Sequence, residues 1–176
     1  MIAMPQLSER PFRGSVVYIC QHDREGAMGL IINKTAETPL TEILQHLEIS
    51  VGERTSDKPL FLGGPVQPEH GFVIHAPLGD WRTSMPVTDQ IAVTTSKDIL
   101  VAMGEGEGPE DALVTLGYSG WDPGQLEAEI QQNCWITCEA NPEILFHTPA
   151  RERWRTAAAL VGIKDPSLLT QYGGSA

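Results

Sequence analysis

Residues 14–33, GSVVYICQHDREGAMGLIIN, contain the first evidence for the fold class. Residues 14–21 and 27–33 are rich in β-branched and other apolar side chains, which is typical of buried strands. Between them, DREG at 23–26 has the composition of a tight turn. The two runs therefore predict a β-hairpin. A hairpin this early in the chain argues against a purely parallel sheet.

The rest of the chain predicts about five further strands and four helices in mixed order. Because Ser, Thr and Asp cap helices and Pro fits the first helical turn, helices are expected to begin at Pro39, after Ser96, at Pro123 and at Pro149. Since one domain commonly spans roughly 100–200 residues, the whole chain, 1–176, is predicted to be a single domain. Short apolar runs predict the further strands at residues 60–62, 71–76, 91–95 (IAVTT), 112–118 and 134–138.

The chain is strongly acidic, with 23 Asp and Glu against 12 Lys and Arg and a net charge of −11. Residues 98–144 contain ten acidic residues and no Lys or Arg. A domain that binds duplex DNA needs a basic face, so direct nucleic-acid binding is not expected, and neither is binding to an anionic membrane. Such a surface suits a protein partner with a basic surface. The plainer interpretation is a well-solvated surface.

The three cysteines, Cys20, Cys134 and Cys138, indicate a cytoplasmic protein with reduced thiols, because the count is odd and no secretory signal precedes them. No apolar run approaches the roughly 18 residues of a membrane span. In a strand, Cys134 and Cys138 would lie about 13 Å apart, too far to share a metal ion or a disulfide. No bound metal and no cofactor are therefore expected.

Two motifs resemble catalytic or phosphate-binding elements but are incomplete. Ser119 and Gly120 follow a predicted strand as a nucleophile elbow would, but the second glycine of G-x-S-x-G falls one position early. His75 and Asp98 could be proposed as its partners, although nothing in the sequence places them beside Ser119. The glycine-rich run at 104–108 follows a helix and lacks the lysine of a phosphate loop. No catalytic residue is assigned.

Two further pairs have simpler structural interpretations. Cys20 and His22 would face the same side of a strand, which is at most half of a metal site. Glu127 and Glu129 could act as paired carboxylates, but positions i and i+2 of a helix point to different faces. A solvated acidic helix face is the preferred interpretation of this second pair.

Taken together, eight segments are similar to the AlgH/YqgE family of bacterial proteins. The resemblance covers almost the whole chain in order, and GAMGLIIN and LGYSGWDPGQLE are its most specific strings. One departure is Ser119, which stands where the family often has Ala and weakens the nucleophile interpretation. The segments are 3–7 (AMPQL), 15–19 (SVVYI), 26–34 (GAMGLIINK), 62–66 (LGGPV), 71–75 (GFVIH), 94–100 (TTSKDIL), 116–129 (LGYSGWDPGQLEAE) and 146–154.

The resemblance implies an α+β fold with a mainly antiparallel, bifurcated sheet closed into a pseudo-barrel and flanked by about four helices. It also implies a cytosolic bacterial protein of the kind described as a transcriptional regulator. It supplies no reaction, no cofactor and no catalytic residues. Because the charge disfavours DNA, regulation would act through a protein or a small ligand.

Three functional hypotheses remain open at this point. The first is a regulatory or adaptor protein, and the second is an enzyme or small-ligand binder with a site at the strand-end loops, where binding residues collect. The third assigns the glycines and Trp121 to structural turns. The candidate ligand-binding residues are Gly63, Gly64, Pro65, Thr95, Ser96, Asp98, Tyr118, Ser119, Gly120, Trp121 and Gln125.

Overall fold

A computed structural model of the chain describes residues 1–7 and 11–163. These residues belong to two compact units. The terminal unit comprises Met1–Lys34 and Ser119–Ala176, and the central unit comprises Thr35–Tyr118. The sequence from residue 166 onwards predicts an irregular tail, and this segment lies outside the described residues.

The terminal unit contains the predicted hairpin. Its strands are β2 (Val17–Asp23) and β3 (Gly26–Ile31), which pair in antiparallel register from Val17↔Ile31 to Asp23↔Gly26. The pairing shifts by one residue after Ile19, as in a β-bulge. A π-helix, Glu143–His147, was not predicted. The other elements of this unit are β1 (Ile2–Ala3), α4 (Gln125–Gln131), β9 (Trp135–Ile136) and α5 (Ala150–Leu160).

The central unit is built around β8 (Asp111–Trp121), whose last three residues belong to the terminal unit. Its long antiparallel partner is β5 (Val66–Ala76), and β4 (Leu60–Leu62) pairs with β8 in parallel. The remaining elements are α1 (Leu40–His46), α2 (Glu53–Ser56), β6 (Ser84–Pro86), β7 (Ala92–Thr94) and α3 (Lys97–Glu105).

The prediction of an α+β fold with a mainly antiparallel, bifurcated sheet is confirmed. The strand order is β2-β3-β8-β5-β7-β6, with β4 added to β8, so β8 has three partners and the sheet branches there. All pairings are antiparallel except that of β4 with β8. The hydrogen-bonded path is open, since β2 and β6 stand at its two ends.

Each unit has its own apolar core, because its helices and strands turn one apolar side inward. In the central unit, α1 and α3 pack on β4, β5 and β8 through the cluster Leu40, Leu44, Ile49, Leu60, Val73, Ile99, Met103 and Val114. In the terminal unit the cluster is Ala3, Val17, Ile31, Trp121, Leu126 and Trp135.

Several predicted boundaries are wrong. Residues 118–121 are not a turn, because Ser119, Gly120 and Trp121 continue β8 and pair with β3. Pro123 does not begin α4. Gly124 precedes that helix with φ +77°, a left-handed conformation that is cheap only for glycine. Pro39 and Pro149 likewise stand one residue before their helices.

Short elements account for the other differences. No helix or strand is predicted at residues 51–58 or 77–86, yet the first segment contains α2 and the second ends in β6. The predicted strand at 91–95 is β7 to within one residue at each end, and the predicted strand at 134–138 is shorter, since β9 has only two residues. The three residues of β6 show too little periodic pattern to be recognised, whereas β4, of the same length, is recognisable as an apolar run.

Candidate functional site

The eleven candidate residues are divided between the two units. Gly63, Gly64, Pro65, Thr95, Ser96, Asp98 and Tyr118 belong to the central unit, and Ser119, Gly120, Trp121 and Gln125 belong to the terminal unit. The candidates therefore form two local groups, one in each unit, and each group is described separately.

The glycines after β4 allow two backbone segments to approach closely. Gly63 N donates a hydrogen bond to Leu116 O at 2.7 Å. At Gly117, which has φ +68°, an added Cβ would lie 2.4 Å from Gly64 O. The ring of Tyr118 packs edge-on against Phe72, with centroids 5.7 Å apart. The close approach explains these glycines structurally and leaves their proposed ligand-binding role a prediction.

Ser96 and Asp98 hold the segment that leads into β6. Ser96 Oγ accepts a hydrogen bond from Thr83 N at 3.0 Å and donates one to Asp98 Oδ1 at 2.6 Å. Asp98 Oδ2 accepts from Arg82 N at 2.9 Å. Burial opposes ionisation of Asp98, but these hydrogen bonds outweigh it and lower the pKa of its carboxyl. Thr95 also joins this segment, since its N donates to Thr83 O at 3.0 Å.

Glu129 joins the candidates of the terminal unit into one network. Its Oε2 accepts hydrogen bonds from Trp121 Nε1 at 2.9 Å and Trp135 Nε1 at 2.7 Å. Its Oε1 accepts from Gln125 Nε2 at 2.9 Å, and Gln125 Oε1 accepts from Asp122 N at 3.0 Å. The interpretation of Glu129 as part of a solvated face is therefore wrong, because two buried indoles use its carboxylate.

Aromatic packing surrounds this network. Trp121 is only 5% exposed, and its ring lies edge-on to that of Trp135, with centroids 5.8 Å apart. The ring of Phe12 packs against both, with its centroid 6.1 Å from that of Trp121 and 5.6 Å from that of Trp135. Trp121 thus packs in the interior, as the structural hypothesis predicts, and is not a free stacking platform.

The proposed partners of Ser119 are engaged elsewhere. His75 is fully buried, and its Nδ1 and Nε2 lie 2.9 Å from Pro77 O and 2.8 Å from Thr94 Oγ1. Because a carbonyl oxygen only accepts, Nδ1 carries the proton. Burial lowers the pKa of His75 below its usual value. A general base needs an orienting acid, but the two ring nitrogens are already occupied by a carbonyl and a hydroxyl.

The glycine-rich run at 104–108 forms the end of α3. Gly106 adopts φ +82° and ends the helix. The N–H groups of Glu107 and Gly108 both donate to Ala102 O at 2.9 Å. Those donors are used by the helix terminus, so they do not form a phosphate cradle.

The cysteines differ in exposure. Cys20 is buried, and burial raises the pKa of its thiol to about 12. Cys134 and Cys138 are half-buried, and all three thiols are free. Among residues 1–7 and 11–163, no group of three or more His, Cys, Asp or Glu side chains is arranged to hold a metal ion. Within the same residues, no helix is long and apolar enough to cross a membrane.

The terminal unit contains a cavity that the sequence did not indicate, here called the edge cavity. It has a volume of about 280 Å³ and lies against β2, the end strand of the sheet. Its 17 lining residues include none of the eleven candidates. They are Met1, Val16, Val17, Tyr18, Ile19, His22, Ile32, Leu126, Ile130, Thr137, Cys138, Glu139, Ala140, Asn141, Ile144, Leu145 and Ala157.

The central unit contains two further cavities, each lined by fewer residues than the edge cavity. One, of about 100 Å³, lies beside Thr55 and Lys58. The other, of about 610 Å³, is open to solvent beside Pro77 and Asp111. Neither is lined by a candidate residue.

Two polar contacts of the terminal unit were also missed from sequence. His22 Nε2 lies 2.6 Å from Glu127 Oε1 across an exposed surface. Arg153 is buried and donates to the carbonyls of Ile32 and Thr148, and its burial lowers the pKa of the guanidinium to about 10. A buried cation anchors α5 through main-chain carbonyls. No periodic pattern could have predicted this contact.

Comparison with known proteins identifies the family. The AlgH-like family model matches residues 1–165. A UPF0301 protein of Thioalkalivibrio sulfidiphilus is 48% identical over 176 residues, which is 100% of this chain and 94% of that protein. A UPF0301 protein of Hahella chejuensis is 49% identical over 176 residues, which is again 100% of this chain and 94% of that protein.

Two solved structures show the same fold. The solution structure of the AlgH protein from Pseudomonas aeruginosa matches with a TM-score of 0.80 and 41% identity, covering 99% of this chain and 93% of that one. A crystal structure from Corynebacterium diphtheriae matches with a TM-score of 0.71 at 18% identity, covering 99% and 89%, and supports the fold alone. The resemblance noted in the sequence is thereby confirmed: the chain belongs to the AlgH-like family.

Proposed function

We propose that the chain is a cytoplasmic regulatory or adaptor protein that acts by binding a partner protein with a basic surface. The observation that carries this proposal is the distribution of charge between the two units. The central unit has 13 Asp and Glu against four Lys and Arg, a net charge of −9. The terminal unit has ten acidic and eight basic residues, a net charge of −2.

The acidic side chains of the central unit are available to a partner. Of the 13, only Asp98 and Asp111 are partly buried. Exposed like charges contribute little to folding, but together they steer an oppositely charged partner and speed its association. The exposed ones are Glu37, Glu42, Glu48, Glu53, Asp57, Glu69, Asp80, Asp89, Glu105, Glu107 and Glu110.

The engaged state of the catalytic candidates favours a binding role over an enzyme. His75 is held between Pro77 O and Thr94 Oγ1, and Asp98 is held by Ser96 and by main-chain N–H groups. A substrate would have to displace these hydrogen bonds before either side chain could act as a general acid or base.

The experiment compares two pairs of charge reversals that change the net charge equally. Glu105→Lys with Glu107→Lys alters the central unit, and Glu139→Lys with Glu143→Lys alters the terminal unit. Binding of a fluorescein-labelled octalysine peptide is measured by anisotropy at two salt concentrations. The central pair should weaken binding by about tenfold and reduce its salt dependence, since opposite charges within roughly 10 Å interact most.

The terminal pair is the matched control and should weaken binding by no more than about threefold. An equal loss in both pairs would mean that only net charge matters, which contradicts a binding surface on the central unit. Circular dichroism checks that both double variants remain folded.

A further inference from the structure

Residues 78–81 of the central unit, here called the strap, are fixed by hydrogen bonds only beyond their two ends. Before the strap, His75 Nδ1 donates to Pro77 O at 2.9 Å. After it, Arg82 N donates to Asp98 Oδ2 at 2.9 Å. Within the described residues the strap itself makes no hydrogen bond, so side-chain packing alone holds it against the unit.

That packing comes from Trp81, whose own polar atom has no acceptor there. The indole lies edge-on to the imidazole of His75, with centroids 6.3 Å apart, and packs against the apolar cluster of the central unit. Trp81 Nε1 is buried without a hydrogen-bond partner among the described residues. A buried donor left unpaired destabilises the arrangement that contains it, and a segment held by few contacts opens more easily than the rest of a fold. The strap is therefore a weakly held part of the central unit.

A chain of hydrogen bonds connects His75 to hydroxyl groups on β7 and β6. Because Nδ1 carries the proton, Nε2 accepts from the Thr94 hydroxyl 2.8 Å away. Thr94 Oγ1 lies 2.9 Å from Ser84 Oγ, and since a hydroxyl has one proton, Ser84 donates to Thr94 in this state. When Nε2 gains a proton, both hydroxyls rotate and the chain runs in the opposite direction. Protonation of His75 thus breaks no hydrogen bond, and its effect is to place a charge at a fully buried position.

No carboxylate neutralises an imidazolium at this position. The neighbours of His75 in the sheet are Ala92 of β7 and Ala112 of β8, and neither β6 nor β7 carries a charged or titratable side chain. Within the described residues His75 has no ion pair. A buried charge without a partner is destabilised by the loss of its hydration. The charged and titratable residues on β5, β8, the strap and its second attachment are Glu69, His70, Asp80, Arg82, Asp98 and Asp111.

We propose that the strap is a pH-sensitive cover of the central unit that opens when His75 takes up a proton. Opening admits water to the imidazolium and to the indole N–H of Trp81, while Pro77 O stays bound to Nδ1. The observation that carries the proposal is a fully buried imidazole packed against a segment that has no hydrogen bonds of its own. The proposal does not rest on the proposed function, because it concerns the strap and not the exposed carboxylates that would bind a basic partner.

Hydrogen exchange of the indole N–H of Trp81, followed by heteronuclear NMR, measures the opening. Its protection factor is the exchange rate of a short tryptophan peptide at the same pH divided by the rate of Trp81, and Trp81→Phe assigns the resonance. The factor should fall about fivefold to tenfold between about pH 7.5 and about pH 5.5, because the hydrated imidazole has its ordinary pKa of about 6.5 and burial lowers that pKa. A protection factor independent of pH in the parent protein would overturn the proposal.

Trp121 in the same samples separates local opening from unfolding. Its indole N–H donates to Glu129 in the terminal unit, so its exchange requires that this packing be lost. Trp81 should be at least about tenfold less protected than Trp121 at both pH values, since local opening requires less free energy than unfolding. Equal protection of the two indoles would mean that Trp81 exchanges only through unfolding, which contradicts a separate strap.

His75→Gln tests whether His75 is the group that responds. Its amide keeps a donor for Pro77 O and does not titrate, so the protection factor of Trp81 should be the same at both pH values. His70→Gln, at an exposed histidine of the same strand, is the matched control and should retain the pH dependence of the parent. Circular dichroism checks that both variants are folded. A pH response that persists in folded His75→Gln would assign the opening to another group and overturn the proposal.

Discussion

Removing the carboxylate of Glu129 should destabilise the terminal unit far more than removing any exposed carboxylate. In Glu129→Ala, the indole N–H groups of Trp121 and Trp135 both lose their acceptor. These side chains are 5% and 2% exposed, so water replaces the acceptor poorly. Each buried donor left unpaired costs about 1–3 kcal/mol, so the two together cost about 2–6 kcal/mol.

Urea unfolding followed by tryptophan fluorescence and circular dichroism measures this loss. With a slope of about 2 kcal/mol/M, the urea midpoint of Glu129→Ala should fall by about 1–3 M. Glu129→Gln retains a carbonyl oxygen that accepts from both indoles, and it should lose about 1 kcal/mol.

Glu127→Ala is the matched control on the same helix. Its carboxylate is exposed and contacts the exposed His22, so its loss should leave the urea midpoint nearly unchanged. If Glu129→Ala and Glu127→Ala unfold at the same urea concentration, the two indoles do not depend on Glu129 and the reasoning is refuted.

Three further predictions concern the buried side chains Trp121, His75 and Cys20. Trp121→Ala should cost about 3–5 kcal/mol in urea melts, because it empties a buried site; a midpoint equal to that of the parent would contradict the packing observed. Burial lowers the pKa of His75 in the folded state, so the unfolded chain takes up a proton first as pH falls below about 6.5, and the free energy of unfolding should decline there. The decline should be smaller in His75→Gln. Identical pH profiles of the two proteins would show that His75 does not cause the decline. Iodoacetamide followed by mass spectrometry should label Cys138 well before Cys20, since burial raises the pKa of the Cys20 thiol to about 12; faster labelling of Cys20 would oppose this.

The sequence was informative where side-chain pattern decides the structure. The hairpin of β2 and β3 was predictable because long β-branched runs flank a polar turn. The continuation of β8 through Trp121 was not, because Gly117 and Gly120 in the strand look like turn residues when the pairing with β3 is unknown. The edge cavity lay beyond sequence analysis, because folding brings together residues far apart in the chain, such as Ile19, Ile130 and Ile144, to line it.

The same limit explains why the candidate site and the cavity do not coincide. Sequence reasoning selects polar side chains at strand ends, and in this structure Ser96, Asp98 and Gln125 bind nearby main-chain groups. Such residues stabilise the loops they begin, whatever else they bind. The edge cavity is lined instead mostly by apolar side chains of β2, α4 and residues 137–145, which a search for polar motifs does not select.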